Sequence, residues 1–223
     1  MKKIYVIGSS SNISEALARL VNGYSCVFIG RSNPHNLKQF INFKGMDDEL
    51  SVDFLLTAIT DDMQATKNLE SASLVIVAGI SSHDWRESYL VNEYLPAKLS
   101  EEFSRYVAHL PLLNSSITLV GSAAAHLGAK MPYATTKAAL GGILHTIARD
   151  FRGKVRINLI LPSAFESAMI ADWGEDKKEA VASSNYIGRL GTSDDMADAI
   201  LFAVQNEFIT NSTINMTGGT VHT

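Results

Sequence analysis

Short apolar runs alternate with longer stretches of helical periodicity along the chain. Runs at 3–7, 25–29, 50–54, 74–78, 117–121, 155–161 and 213–216 are rich in Val and Ile. They lack in/out alternation, which suits strands buried on both faces. Between them, residues 13–21, 34–43, 61–69, 86–110, 131–151 and 194–206 predict helices. Within 86–110, Leu99, Phe103, Tyr106 and Leu110 form one helical stripe. Strands alternating with helices imply right-handed crossovers and a parallel sheet covered on both sides. The expected fold class is α/β, one doubly wound sheet of about seven strands. Ligands of such sheets sit beyond the carboxyl ends of the strands, where every motif below falls.

Composition narrows the picture. The 223 residues hold no linker, repeat or low-complexity tract, so one domain over 1–223 is expected. Hydrophobic residues make up 46% and charged residues 19%, enough for a large core. A net charge of −4 gives no reason to invoke a nucleic-acid or membrane-surface partner. The single cysteine, Cys26, excludes a disulfide framework and fits a reducing cytoplasm. The start MKK precedes only a strand-type run, and no apolar run approaches a membrane span. The six histidines show no paired ligand spacing, so no metal site is expected.

The most informative stretch is PYATTKAAL, residues 132–140. Tyr133 and Lys137 are four apart near a helix start and share a face. An ammonium about 4 Å from a phenol, at an effective dielectric near 20, favours the phenolate by roughly 4 kcal/mol. That is about three pKa units. Taken alone, the pair favours an ordinary helix with a packed Tyr and a solvated Lys. Its context is different: the buried strand of ITLVGSAAAHLG ends at Gly121-Ser122, where a serine can hold a substrate carbonyl oxygen opposite the tyrosine. Asn92, in YLVNEYL, is polar among apolar neighbours and needs partners.

Together these residues resemble the short-chain dehydrogenase/reductase family, with its Rossmann-type sheet, over nearly the whole chain. The stretch from Gly8 through Ser9, Ser11, Asn12, Ile13 and Ser14 is similar to the family's glycine loop. Asp53-Phe54 resembles its adenine-contacting pair, and Ala78-Gly79 the end of its Asn-Asn-Ala-Gly motif. Asn92, Ser122, Tyr133 and Lys137 match its four catalytic residues. RINLILPSAFES, with Pro162, Ser163, Phe165 and Ser167, resembles the segment that contacts the nicotinamide. The resemblance implies that Tyr133 exchanges a proton with the substrate oxygen and Ser122 holds that oxygen. It implies too that Lys137 lowers the tyrosine pKa and bonds the nicotinamide ribose, while Asn92 orders a relay water. It further implies a homodimer or homotetramer through the helices at 86–110 and 131–151.

The departures from that pattern carry information. Only Gly8 remains of the loop glycines; Asn12 and Ser14 stand where two more are expected. Asn tolerates positive φ, so Asn12 is expected to replace a turn glycine and, with Glu15, to form a capping box. At the end of the second strand, FIGRSN carries Arg31 and no acid. Arg31, with Ser9 and Ser32 as donors, suits a 2′-phosphate, so NADP with NADPH preferred over NADH is expected. The substrate is expected to be a small carbonyl or alcohol, contacted by a lid at 165–187. Two alternatives stay open: a nucleotide-binding regulatory protein without turnover, and an isomerase or dehydratase that retains its nicotinamide.

Overall fold

Alternate side chains of the first strand serve two layers: Ile4 and Val6 face one core, Tyr5 and Ile7 the other, and all four are buried. The computed structural model describes residues 1–220. The chain begins β1 (Lys2–Ile7), α1 (Asn12–Leu20), β2 (Ser25–Gly30), β3 (Phe40–Asn42), α2 (Ser51–Ala65) and β4 (Ser71–Ile76). It continues through α3 (Trp85–Tyr89), a π-turn at Leu90–Tyr94, α4 (Leu95–Ala108), β5 (Ser115–Val120) and the short α5 (Ala124–Leu127). After α6 (Met131–Ala138), α7 (Leu140–Asp150) and β6 (Val155–Pro162) come a 3-10 turn at Ala168–Ile170, α8 (Glu175–Ser183), α9 (Ser193–Gln205) and β7 (Ser212–Met216).

The seven strands form one all-parallel sheet in the order β3-β2-β1-β4-β5-β6-β7. One face is covered by α1 and α9 through Ile13, Leu17, Met196, Ile200 and Val204. The other is covered by α2, α4 and α7 through Leu55, Ile59, Leu99, Phe103, Leu144 and Ile147. Strand order reverses between β1 and β4, so the crevice beyond their carboxyl ends is where this topology places a ligand.

Six strands fall on the expected runs; the third does not. The run at 50–54, read as a strand from Leu50, Val52 and Phe54, is the start of α2. What is buried there is Val52, Leu55, Ile59 and Met63, spaced three, four and four. Leu50 and Phe54 are exposed. The expected helix at 34–43 is instead a turn followed by β3. Asn33 Oδ1 accepts from Leu37 N at 2.7 Å, and Asn36 has φ 52, which stops a helix from propagating. Two long helices are interrupted. The 131–151 helix breaks at Ala139, and the 86–110 helix contains the π-turn. Pro96 has no N–H to donate to the Asn92 carbonyl four residues back, so an α-helical register cannot run through this point. Among the described residues, no helix is long and apolar enough to cross a membrane. Among them, no group of three His, Cys, Asp or Glu could hold a metal. Cys26 lies in β2, its thiol pushed up to about 12 by burial.

Candidate active site

The carboxyl ends of the central strands open onto a single cleft of 1860 Å³. A drug-sized ligand occupies roughly 300–1,000 Å³, so this volume suits a dinucleotide with a second molecule beside it.

At one end lies the loop after β1. Gly8 has φ +116, and a Cβ there would sit 2.9 Å from Ala78 N, so only glycine fits. Asn12 does not take positive φ; it is the first residue of α1. The cap is Ser11, whose Oγ accepts from Ile13 N at 3.2 Å. The expected Asn12–Glu15 box is absent, because Asn12 lies inside the helix and Ser11 takes the cap position. Ser14, fully buried, donates to Gly8 O at 2.9 Å. The Asn12 N–H has no backbone acceptor among the described residues and lies at a helix N-terminus lining the cleft. This donor, the bare Gly8 and the nearby cations fit a pyrophosphate.

Arg31 lines the cleft at the end of β2, its side chain lying across Gly45. Lys44, which sequence reasoning missed, lines the same end just after β3, beside Phe43. Neither cation pairs with a carboxylate among the described residues. The signal that could have found Lys44 is FINF, a short apolar-rich run ending in the buried Phe43. Several expected contacts fall elsewhere. Asp53 and Phe54 sit on α2 outside the cleft; Phe54 stacks on Phe43 at 6.0 Å and so backs the wall without lining it. The Ser9 hydroxyl, buried, donates to Ser32 O at 2.6 Å, and neither serine lines the cleft. Ile13 belongs to the core. Gly8, Ser11, Asn12, Ala78, Gly79, Pro162, Ser163, Phe165 and Ser167 all line the cleft.

The opposite end gathers the chemistry. Lys137 is 5% exposed, and its Nζ donates to Val120 O at 2.9 Å. It rests on Gly79, where a Cβ would lie 2.9 Å from Nζ and 3.5 Å from Asn92 Oδ1. Burial without a carboxylate partner lowers the Lys137 amine to about 8. Asn92, fully buried in the π-turn, accepts from Ile80 N and donates to Ile80 O, both at 2.9 Å. It also donates to Thr136 Oγ1 at 3.3 Å. Asn92 thus ties the wall after β4 to α6, and a π-turn is a recurrent device for aiming such a residue. Tyr133, 9% exposed, lies beside the Ser122 hydroxyl, which acts to lower its pKa, and both line the cleft.

The electrostatics differ from the expectation. Burial raises the Tyr133 pKa above the ordinary phenol value, and the Ser122 hydroxyl only partly opposes this. The amine of Lys137 is turned to a backbone carbonyl. Tyr133 is therefore a protonated phenol at neutral pH, poised to donate. Two donors, the Ser122 and Tyr133 hydroxyls, stand together where an oxygen can meet both.

The family model described as Enoyl-(Acyl carrier protein) reductase matches residues 66–221. The 3-oxoacyl-[acyl-carrier-protein] reductase FabG of Escherichia coli (strain K12) is 24% identical over 96% of this chain and 95% of its own. Tropinone reductase-like 3 of Erythroxylum coca is 31% identical over 48% of this chain and 43% of its own. Among solved structures, ligand-free Thermoplasma acidophilum aldohexose dehydrogenase superposes with a TM-score of 0.84 at 21% identity, covering 100% of this chain and 96% of that one. ElxO with NADP bound gives 0.82 at 21% identity, covering 97% of both.

Proposed function

The chain belongs to the short-chain dehydrogenase/reductase family, and from that premise we propose that it is an NADPH-preferring reductase of a small carbonyl substrate. The observation that carries this is the Ser122–Tyr133 hydroxyl pair beside the buried Lys137. When bound, the nicotinamide supplies the hydride. Ser122 holds the carbonyl oxygen, and Tyr133, kept neutral by burial, delivers the proton to it. The Lys137 ammonium, next to Gly79 on the cofactor path, bonds the ribose and favours the phenolate left after proton transfer. Asn92 holds the wall after β4 against α6. We read Pro162, Ser163, Phe165 and Ser167, which line the cleft, as the segment that faces the nicotinamide.

Preference for NADPH rests on Arg31 and Lys44, two cations without carboxylate partners at the cleft's far end, with no acid at the end of β2. Assembly as a homodimer or homotetramer is favoured by α7, where Gly141 and Gly142 have nothing within 4 Å of a built Cβ. Such a bare flank permits close helix approach. The relatives named as 3-oxoacyl reductases make 3-oxoacyl thioesters the first substrates to try. The test mixes the purified protein with NADPH or NADH and a panel: acetoacetyl and 3-oxooctanoyl thioesters, a cyclic ketone and an aldose. Oxidation of NADPH by at least one, faster than of NADH, is expected. NADPH binding with no oxidation across the panel would leave the regulatory reading standing.

A further inference from the structure

The segment 166–190, which takes in nearly all of the expected lid at 165–187, leaves the body through a closed neck. Phe165 bridges Gly191, Glu166 N donates to Gly191 O at 3.0 Å, and Gly191 N donates to Ala164 O at 3.3 Å. Beyond the neck the lid is thinly held, and its helix α8 has no buried residue. Among the described residues, one backbone bond ties 167–190 to the rest of the chain outside that neck: Tyr186 N donates to Gly218 O at 2.8 Å.

Two glycines receive this contact. Gly218 and Gly219 have φ +60 and +92. A Cβ on Gly218 would lie 2.8 Å from Asn185 Oδ1, and one on Gly219 would lie 2.7 Å from the Tyr186 ring. The lid is seated on bare backbone. Asn185 shapes the turn that presents the ring: its Oδ1 accepts from Ile187 N and Gly188 N, both at 2.9 Å, and its Nδ2 donates to Arg189 O at 2.7 Å. The turn is bolted to α9, because Arg189 meets both oxygens of Asp195 at 2.7 and 3.0 Å. Arg189 holds that carboxyl well below the usual range, and Asp195 also closes the capping box with Thr192. Tyr186 nonetheless remains 81% exposed, and it lines the cleft with Trp173 and Val181.

We propose that Tyr186 is a specificity-determining residue that contacts the substrate beyond its carbonyl, and that Gly218 and Gly219 are the platform that positions it. The proposal rests on the reading of the cleft as a reductase site. Both glycines are needed because any side chain there lifts the ring off its seat and moves the wall of the substrate mouth.

The test is a double-mutant cycle on Gly219→Ala and Tyr186→Ala, read by kinetics with the panel substrate turned over fastest. Tyr186→Ala should raise KM about tenfold, with kcat and the NADPH dissociation constant within about twofold. Tyr186→Phe should keep the wild-type KM within about twofold. Gly219→Ala should phenocopy Tyr186→Ala, yet add less when the ring is already gone, since the collision then disappears and only the backbone strain at φ +92 remains. Hydrogen exchange reads the docking without turnover: the Tyr186 amide should exchange about tenfold faster in Gly219→Ala. An unchanged KM in Tyr186→Ala, additive effects in the cycle, or an unchanged Tyr186 amide would each overturn the proposal. Absence of wild-type turnover would instead remove the reductase reading, and with it the substrate role of Tyr186.

Discussion

Replacing Lys137 by Met tests the electrostatic account of the site without any substrate. The amine is 5% exposed and has no carboxylate partner among the described residues, and burial brings it from 10.5 to about 8. A folded pKa below the unfolded one means that the unfolded chain binds more protons between those values, so stability rises with pH across that window. At pH 7 the buried ammonium costs the fold about 3 kcal/mol, and at pH 10 about 1 kcal/mol remains. Lys137→Met removes this titration. It also leaves the Val120 carbonyl, now served at 2.9 Å, without its donor, an offset that does not vary with pH. The stability of Lys137→Met relative to wild type should therefore fall by about 2 kcal/mol from pH 7 to pH 10, whatever its value at pH 7. Urea unfolding of the cofactor-free proteins at pH 7, 8, 9 and 10 measures this difference directly. A difference constant to within about 0.5 kcal/mol would refute the buried-ammonium account, since other titrating groups are common to both proteins.

Three further substitutions separate chemistry from binding. Tyr133→Phe should lower turnover by about 10²–10⁴-fold while leaving the NADPH dissociation constant within about twofold; activity within several-fold of wild type would remove its role as proton donor. Arg31→Asp should weaken NADPH about ten- to hundredfold and swing preference toward NADH, with Lys44→Ala moving the ratio less in the same direction; titration of both cofactors at one salt concentration, giving an unchanged ratio, would show both cations to be surface residues only.

The parallel sheet was legible because its strands are buried on both faces, and continuous Val/Ile runs have few other uses in a chain of this size. The third strand escaped because it has only three residues, Phe40, Ile41 and Asn42, beside a helix whose first turn exposes two large apolar side chains. That one error placed Asp53 and Phe54 at the cleft, where Phe43 and Lys44 stand instead. Tyr133, Lys137, Ser122 and Asn92 were legible from spacing and position. Their electrostatics were not, because spacing does not show which way an amine turns. The lysine bonds a carbonyl across the sheet and leaves burial to govern the phenol. The lid platform was illegible for a related reason. Asn185, Tyr186, Gly218 and Gly219 are far apart in sequence, and only the fold brings a ring onto a backbone.

The loop after β1 shows how glycine's work there is divided among other residues. Glycine in such loops serves the turn, the close approach of backbone to pyrophosphate, and the packing of helix on strand. Here Gly8 alone makes the turn, and the Cβ excluded by Ala78 would have no room. Helix packing falls to Ser14, which is fully buried and adds a bond to the Gly8 carbonyl. That carbonyl also accepts from Ser11 N at 3.0 Å, so both of its lone pairs are engaged and the turn cannot flip without breaking two bonds. A glycine at 14 would give a looser loop that keeps its shape by tight packing; the serine gives one held by hydrogen bonds. The Asn12 N–H at the start of α1 then lines the cleft from a fixed frame, and a fixed frame loses less freedom on binding an anion. Losing glycines therefore need not weaken the cofactor. What it changes is which residue can be removed: Ser14→Gly should loosen the loop, although it restores the residue type that the pattern of such loops leads one to expect.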